Sequence, residues 1–246
     1  MALNNEHIGI ISQVRMTSTR LPGKVLMKIN DRSLLEYHLD RLRKTGFRII
    51  IATTINSADD AVCELAEDME MDFYRGSELN VLERFYNAAK TFELQHIIRV
   101  TSDCPLIDPV LIRNGAEQYL NGNDENVYLS NSIERTYARG FDFEIFSFAS
   151  LKEAYENTKD QSDIEHVTPF IWKNKSGKIK IRHFKQETDN SNLRVTVDTP
   201  EDLELIRQLI VNYKAERLSF SEIEKVLLEH PELVAINAEI QQKKVN

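Results

Sequence analysis

Residues 13 to 24 read QVRMTSTRLPGK and follow directly on the apolar run IGII. Arg15, Arg20 and Lys24 supply cations, Thr17, Ser18 and Thr19 supply hydroxyls, and Gly23 lets backbone N–H groups come close to a ligand. Polyphosphate oxygens accept from this set of donors, so the composition fits an anion cradle. The spacing is neither G-x-x-x-x-G-K-[ST] nor G-x-G-x-x-G. A solvated polar loop whose cations balance nearby acids has the same composition, and the residues alone leave both readings open. Further on, TSDCPLID places Asp103 behind another apolar run. A carboxylate there suits Mg²⁺, a hard ion held by one or two carboxylates together with phosphate oxygens and water. Capping the turn before Pro105 is the structural alternative for Asp103, and helix capping is the alternative for Asp198 in VDTPEDL. Cys104 has no identifiable base beside it and reads as a small packing residue. His7, His38, His96, His183 and His230 show no H-E-x-x-H or similar spacing, which argues against zinc.

These residues need elements to hold them. HIGIISQV, RIIIATT, MDFY and HIIRVTS are short, apolar and bounded by polar or turn residues, so each reads as a strand. SLLEYHLDRLRKT, ADDAVCELAEDME and ELNVLERFYNAAKTF between them carry apolar residues at helical spacing. Alternation of this kind predicts a mostly parallel sheet covered on both faces, in an α/β domain of three layers. In such sheets ligands sit outside the carboxyl ends of the strands, which is where the first loop and Asp103 fall. FDFEIFSF and KIKIRHF alternate like strands of an antiparallel extension, and RVTV reads as a short strand. Thr199 as N-cap, Pro200 at the first helical position and Glu201 with Asp202 in the first turn announce a helix over PEDLELIRQLI. From residue 216 the pattern becomes two short helices broken at Pro231, a tail over 216–246 packed on the 1–215 domain or on a partner subunit.

Composition sets the outer bounds. A chain of 246 residues, 41% of them hydrophobic, can bury a sizeable core. A formal charge of −8 argues against a general nucleic-acid binder, and the scattered Tyr and Phe read as core residues. Two cysteines make no disulfide framework, so a reducing cytoplasm is the expectation. No apolar run approaches the roughly 18 residues of a membrane span, and MALNNEH lacks the regions of a signal peptide.

QVRMTSTRLPGKVL resembles the signature A-R-x-x-S-x-R-L-P-G-K-x-L of cytidylyltransferases that make CMP-activated acidic sugars, above all those acting on 3-deoxy-manno-octulosonate and acylneuraminate. The group named for spore-coat polysaccharide biosynthesis protein F is closer still. The resemblance continues in order through IATT, YRGSELNVLERFYNAA, RVTSDCPLIDP, RGFDFEIFSF, EHVTPFIW, RVTVDTPEDLELI and NAEIQQK, nearly the whole chain. One departure is Gln13-Val14, where the family more often has Gln-Ala or Pro-Ala. The resemblance implies a nucleotide-diphospho-sugar transferase-like, Rossmann-like fold and transfer of CMP from CTP to an acidic sugar or a phosphorylated small molecule. It implies Mg²⁺ held by Asp103 and Asp198; the C-terminal helices suggest a homodimer. Val14, Arg15, Ser18, Arg20, Gly23 and Lys24 would wrap the nucleotide, with Arg15 on the α-phosphate and Lys24 on the departing pyrophosphate; bracing the loop through a carboxylate is the alternative role for Arg20. Arg75 and Ser77 would read the base. Arg139, Asp142, Glu144, Glu165 and His166 would line the acceptor side, with Arg139 facing an acceptor anion. His166 has a structural reading as well, because an ionised acceptor needs no base. Two other functions stay open: a glycosyltransferase of related fold, with DFE standing in for D-x-D, and a non-catalytic nucleotide-binding protein.

Overall fold

The computed structural model describes residues 7–122 and 124–240. Among the described residues nine strands follow one another: β1 (Ile8–Gln13), β2 (Lys28–Ile29), β3 (Arg32–Ser33), β4 (Arg48–Thr54), β5 (Asp72–Gly76), β6 (His96–Thr101), β7 (Val127–Ser130), β8 (Glu144–Ser147) and β9 (Lys180–His183). The helices are α1 (Leu34–Arg43), α2 (Asp60–Asp68), α3 (Val81–Thr91), α4 (Pro109–Leu120), α5 (Phe148–Asn157), α6 (Gln161–His166), α7 (Pro169–Trp172), α8 (Pro200–Tyr213), α9 (Phe220–Glu229) and α10 (Pro231–Ala235). Seven strands form one sheet in the order β5-β4-β1-β6-β8-β7-β9, and β2 with β3 makes a separate ribbon. β1 pairs parallel with β4 on one side and β6 on the other, so their carboxyl ends share one edge. β8 runs antiparallel to both β6 and β7, the extension expected of FDFEIFSF, whereas β9 from KIKIRHF pairs parallel with β7 and not antiparallel as expected.

The apolar strands are apolar because both faces are covered. Ile10 in β1 points into a cluster with Leu35 and Leu39 of α1, Ile112 of α4 and Leu205 of α8. Its neighbour Ile11 points the other way, into a cluster with Phe85 of α3, Leu151 of α5 and Ile171 of α7. The sheet is thus the middle of three layers. Ile223 and Leu227 of α9 and Leu233 of α10 join the first cluster, so the helical tail packs on its own domain. Residues 241–246, the end of the NAEIQQK block, lie outside the described residues.

Two further expectations change. FDFEIFSF contributes only Glu144–Ser147 to the ladder, because Ser147 caps Ser150 N–H and turns Phe148 into the start of α5. RVTV is not a strand: it makes a single bridge, Arg139 with Arg194, and its amides go to loops, Val195 N–H to the Arg139 carbonyl at 2.7 Å and Val197 N–H to the Asp103 carbonyl at 2.8 Å. The α8 start is as expected, with Thr199 and Asp202 forming a capping box and Pro200 in the first turn.

Candidate functional site

The first loop is closed on itself before it meets anything else. The Met16 carbonyl accepts from Ser18 N–H and from Gly23 N–H, and Gly23 sits at φ +70°, the left-handed conformation that glycine adopts without cost. Asp59, buried at the start of α2, accepts from Met16 N–H at 2.7 Å and from Thr53 and Thr54 at the end of β4. The loop is therefore pinned to the carboxyl edge of the sheet. Val14 is buried and donates to the Ala52 carbonyl, while Ser18 stays partly exposed.

Lys24, at the end of this loop, turns inward. Its ammonium lies 2.6 Å from the Val197 carbonyl, 2.9 Å from Asp198 Oδ1 and 3.3 Å from Asp103 Oδ2. Asp103 follows β6 and Asp198 precedes α8, so two acids far apart in sequence converge on one point. Three contacts use all three ammonium protons. Lys24 as arranged here organises the acid pair and has no donor left over for a phosphate, which departs from the pyrophosphate contact expected of it. Burial by itself lowers its pKa, but Asp103 and Asp198 outweigh that and raise it, so Lys24 is charged. Asp198 also receives Arg20 at 2.9 Å and Arg194 at 2.8 Å. Burial pushes Asp198 up, yet Lys24, Arg194 and Arg20 hold it below the usual carboxylate range. Arg194 is itself fixed by two bonds to Asp202, which also takes the Asp198 N–H and the Asn237 amide from the tail. Helix capping is the work of Thr199 and Asp202, so the Asp198 carboxylate is left to face the cations.

His38 supports the same corner from below. It is fully buried, with Nδ1 2.9 Å from the Cys104 carbonyl and Nε2 2.9 Å from Ser12 Oγ. A carbonyl only accepts, so Nδ1 carries the proton and Nε2 accepts from Ser12. Burial lowers its pKa to about 4, which keeps the ring neutral. Cys104 is a buried thiol whose pKa burial raises well above the ordinary value, in keeping with a packing role.

A cavity of about 940 Å³ opens beside the acid pair, lined in part by Asp103, Asp198, Arg99, Arg139, His166 and Trp172. Its cations differ in what they already hold. Arg135 is paired with Asp142, and Arg99 with Glu144 at 2.5 Å; Glu144 also accepts from Tyr128 and Thr168. Asp142 and Glu144 are thus committed to protein partners. Arg139 is half-buried, and its guanidinium makes no ion pair or hydrogen bond among the described residues. Burial, then Arg135, lowers its pKa. Gly140 next to it takes φ +113°, where a Cβ would stand 2.7 Å from the Val195 backbone carbon. Glu165 and His166 end α6 at the rim, and burial lowers the His166 pKa, favouring the neutral ring.

A second cavity, of about 490 Å³, lies on the other side of the loop at the ends of β4 and β5, lined by residues including Asn56, Ser77 and Glu78. Glu78 accepts from Thr17 and Asn56 and lies 3.8 Å from Arg15. Arg15 is therefore drawn to a wall residue of this cavity, Glu78, and Arg20 with Lys24 to a wall residue of the other, Asp198. Arg75 and Ser77 are both engaged: Arg75 donates to the Thr54 and Asn56 carbonyls and pairs with Asp60, and Ser77 Oγ accepts from Asn80 N–H.

Reading the sequence missed Arg194, Arg99, Arg135 and His38 as site residues. Arg194 and Arg99 stand in the quoted blocks RVTVDTPEDLELI and RVTSDCPLIDP, where they pass for strand residues; His38 sits at an apolar position of α1 and reads as core. Asp103 and Asp198 offer oxygen donors converging on one point, which fits a hard divalent ion bound together with phosphate oxygens. Among the described residues no group of three His, Cys, Asp or Glu side chains forms a metal cage.

A family-wide sequence model described as cytidylyltransferase matches residues 8–233. The uncharacterized protein MJ1063 of Methanocaldococcus jannaschii is 36% identical over 239 residues, 96% of either chain. The spore coat polysaccharide biosynthesis protein SpsF of Bacillus subtilis is 28% identical over 211 residues, 81% of this chain and 84% of that one. Among solved structures, a cytidylyltransferase from Leptospira borgpetersenii superposes with a TM-score of 0.89 at 31% identity, covering 97% of this chain and 99% of the other.

Proposed function

Since the chain belongs to the cytidylyltransferase family and is a nucleotidyltransferase, we propose that it transfers CMP from CTP to an anionic small molecule and releases pyrophosphate, in the synthesis of a surface polysaccharide. The observation that carries this reading is the meeting of Lys24, Asp103 and Asp198 between the pinned loop and the larger cavity. The acceptor is an acidic sugar or a phosphorylated metabolite. Arg139 supports an anionic acceptor, being the cavity arginine with no protein partner among the described residues.

The donor would run along the loop, its phosphates beside Arg15 and Arg20 and its α-phosphorus next to the acid pair. An acceptor oxygen attacks the α-phosphorus, the bond to the β-phosphate oxygen breaks, and negative charge moves onto pyrophosphate. Fixed cations near that leaving group favour the transition state over the ground state. Asp103 and Asp198 would hold a divalent ion, Mg²⁺ in this reading, that neutralises triphosphate charge when bound. Lys24 holds the two carboxylates together and helps keep Asp198 ionised, and Arg194 with Asp202 fixes the orientation of Asp198. His166 is a hydrogen-bonding wall residue in this scheme, because an ionised acceptor needs no base.

A glycosyltransferase reading has less support, since the family model matching residues 8–233 is that of cytidylyltransferases. Pyrophosphate release from CTP supports the proposal, and release of a nucleoside diphosphate from a nucleotide sugar supports the alternative.

A further inference from the structure

The smaller cavity contains a feature that the proposed chemistry leaves unexplained. Arg84, in the first turn of α3, is 0% exposed. Its Nη1 donates to the Ser77 carbonyl at 2.8 Å, but Nε and Nη2 have no acceptor. Leaving two donors of a charged group unsatisfied in the interior is costly, and an arrangement of this kind is complete only when something else supplies acceptors. No acid forms an ion pair with it among the described residues, although Asp59 and Glu78 favour its charge from a distance. Burial and the nearby Arg15 lower its pKa to about 10. Gly76 makes room for it, because a Cβ there would lie 3.0 Å from Arg84 Cγ.

The rest of the cavity indicates which acceptors belong there. Glu83 lines it beside Arg84 and makes no side-chain ion pair or hydrogen bond among the described residues. Ile55 and Leu79, 69% and 80% exposed, stand at its edge. Apolar lips and an unpaired carboxylate suit the flat face of a nucleobase and disfavour phosphate. The polar pattern is mixed, N–H donors together with a carboxylate acceptor. Cytosine offers acceptors at O2 and N3 and a donor at its 4-amino group, whereas uracil reverses the sense at N3 and at position 4.

We propose that Arg84 and Glu83 are specificity-determining residues for the donor nucleobase, Arg84 donating its spare N–H groups to O2 and N3 through at most one bridging water and Glu83 accepting from the 4-amino group. This rests on the CTP reading above and deepens it by assigning the choice of base to α3 in place of the engaged Arg75 and Ser77. Sites that hydrogen-bond a substrate group reject an analogue with the opposite polarity strongly, because buried groups are then left unpaired.

Calorimetric titration of the full chain with CTP and with UTP, in Mg²⁺, tests the assignment on wild type, Arg84→Lys and Glu83→Gln, with melting curves recorded without nucleotide. Wild type is expected to bind CTP more tightly than UTP. Both variants should bind CTP at least tenfold more weakly and bring the CTP/UTP ratio towards one. Variants that keep the wild-type ratio, whatever their melting temperature, overturn the inference while leaving the CTP reading intact. Should Arg84→Lys fail to fold, the partly exposed Glu83→Gln decides alone. A wild type that binds neither nucleotide refutes the CTP reading, and this inference falls with it.

Discussion

Lys24 makes sense of the residues around it: a single ammonium with three acceptors draws together two acids far apart in the sequence. Replacing it by Met leaves two neighbouring carboxylates without their shared partner. Pyrophosphate release by Lys24→Met is expected to fall by about 10²–10³, the size of loss seen when one preorganised charge is removed. Near-normal turnover would take the loop out of the mechanism. His38 predicts a pH dependence of stability. Its pKa in the fold, about 4, lies below the ordinary 6.5, so above pH 6.5 both folded and unfolded rings are neutral. As pH falls from there towards 4, the unfolded chain takes up a proton that the folded one refuses, and stability drops. The loss amounts to about 3 kcal/mol at about 1.4 kcal/mol per pH unit. Melting temperatures from pH 7 to 4.5 should therefore fall more steeply for wild type than for His38→Gln, and parallel curves would contradict the assignment. The residue types of this corner were legible in the sequence. The sharing of Lys24 between Asp103 and Asp198 was not, because it depends on how a loop near residue 20 meets a turn near residue 200.

At the scale of elements, the parallel half of the sheet was readable because β1, β4 and β6 carry short apolar runs with residues buried on both faces. RVTV has the same look, with Val195 and Val197 fully buried, yet no strand lies beside it and its amides are spent on loop carbonyls. Burial was read correctly and pairing was not, since alternation reports which way side chains point and says nothing about a neighbour. The crossing of residues 193–197 with 138–140 is tight enough to be tested. Gly140→Ala would force a side chain against the Val195 backbone at φ +113° and should destabilise the fold by about 2 kcal/mol. A melting temperature equal to wild type would show that the crossing has slack. The same variant displaces Arg139, so the Michaelis constant for the acceptor should rise more than that for CTP.

Across the whole molecule, the pinned loop reaches wall residues of two cavities, the smaller at the ends of β4 and β5 beside α3 and the larger between the end of β6 and the antiparallel β8. That division matches the two halves of a transfer reaction, a nucleotide on one side and its acceptor on the other. No helix among the described residues is long and apolar enough to cross a membrane. The homodimer belongs to the same proposal; light scattering on the full chain should give twice the monomer mass, and a monomer would remove it. The acceptor could not be read from the sequence because Arg99 and Arg135 look equivalent to Arg139 until their partners Glu144 and Asp142 are known. The most direct test of the account is pyrophosphate release measured with CTP, UTP, ATP and GTP in Mg²⁺ against a panel of sugar acids and phosphorylated metabolites, for wild type and for Asp103→Asn and Asp198→Asn. The account predicts release from CTP with an anionic acceptor and a loss of about 10² or more in both variants. Release from no nucleotide across the panel, or variants as active as wild type, would contradict it.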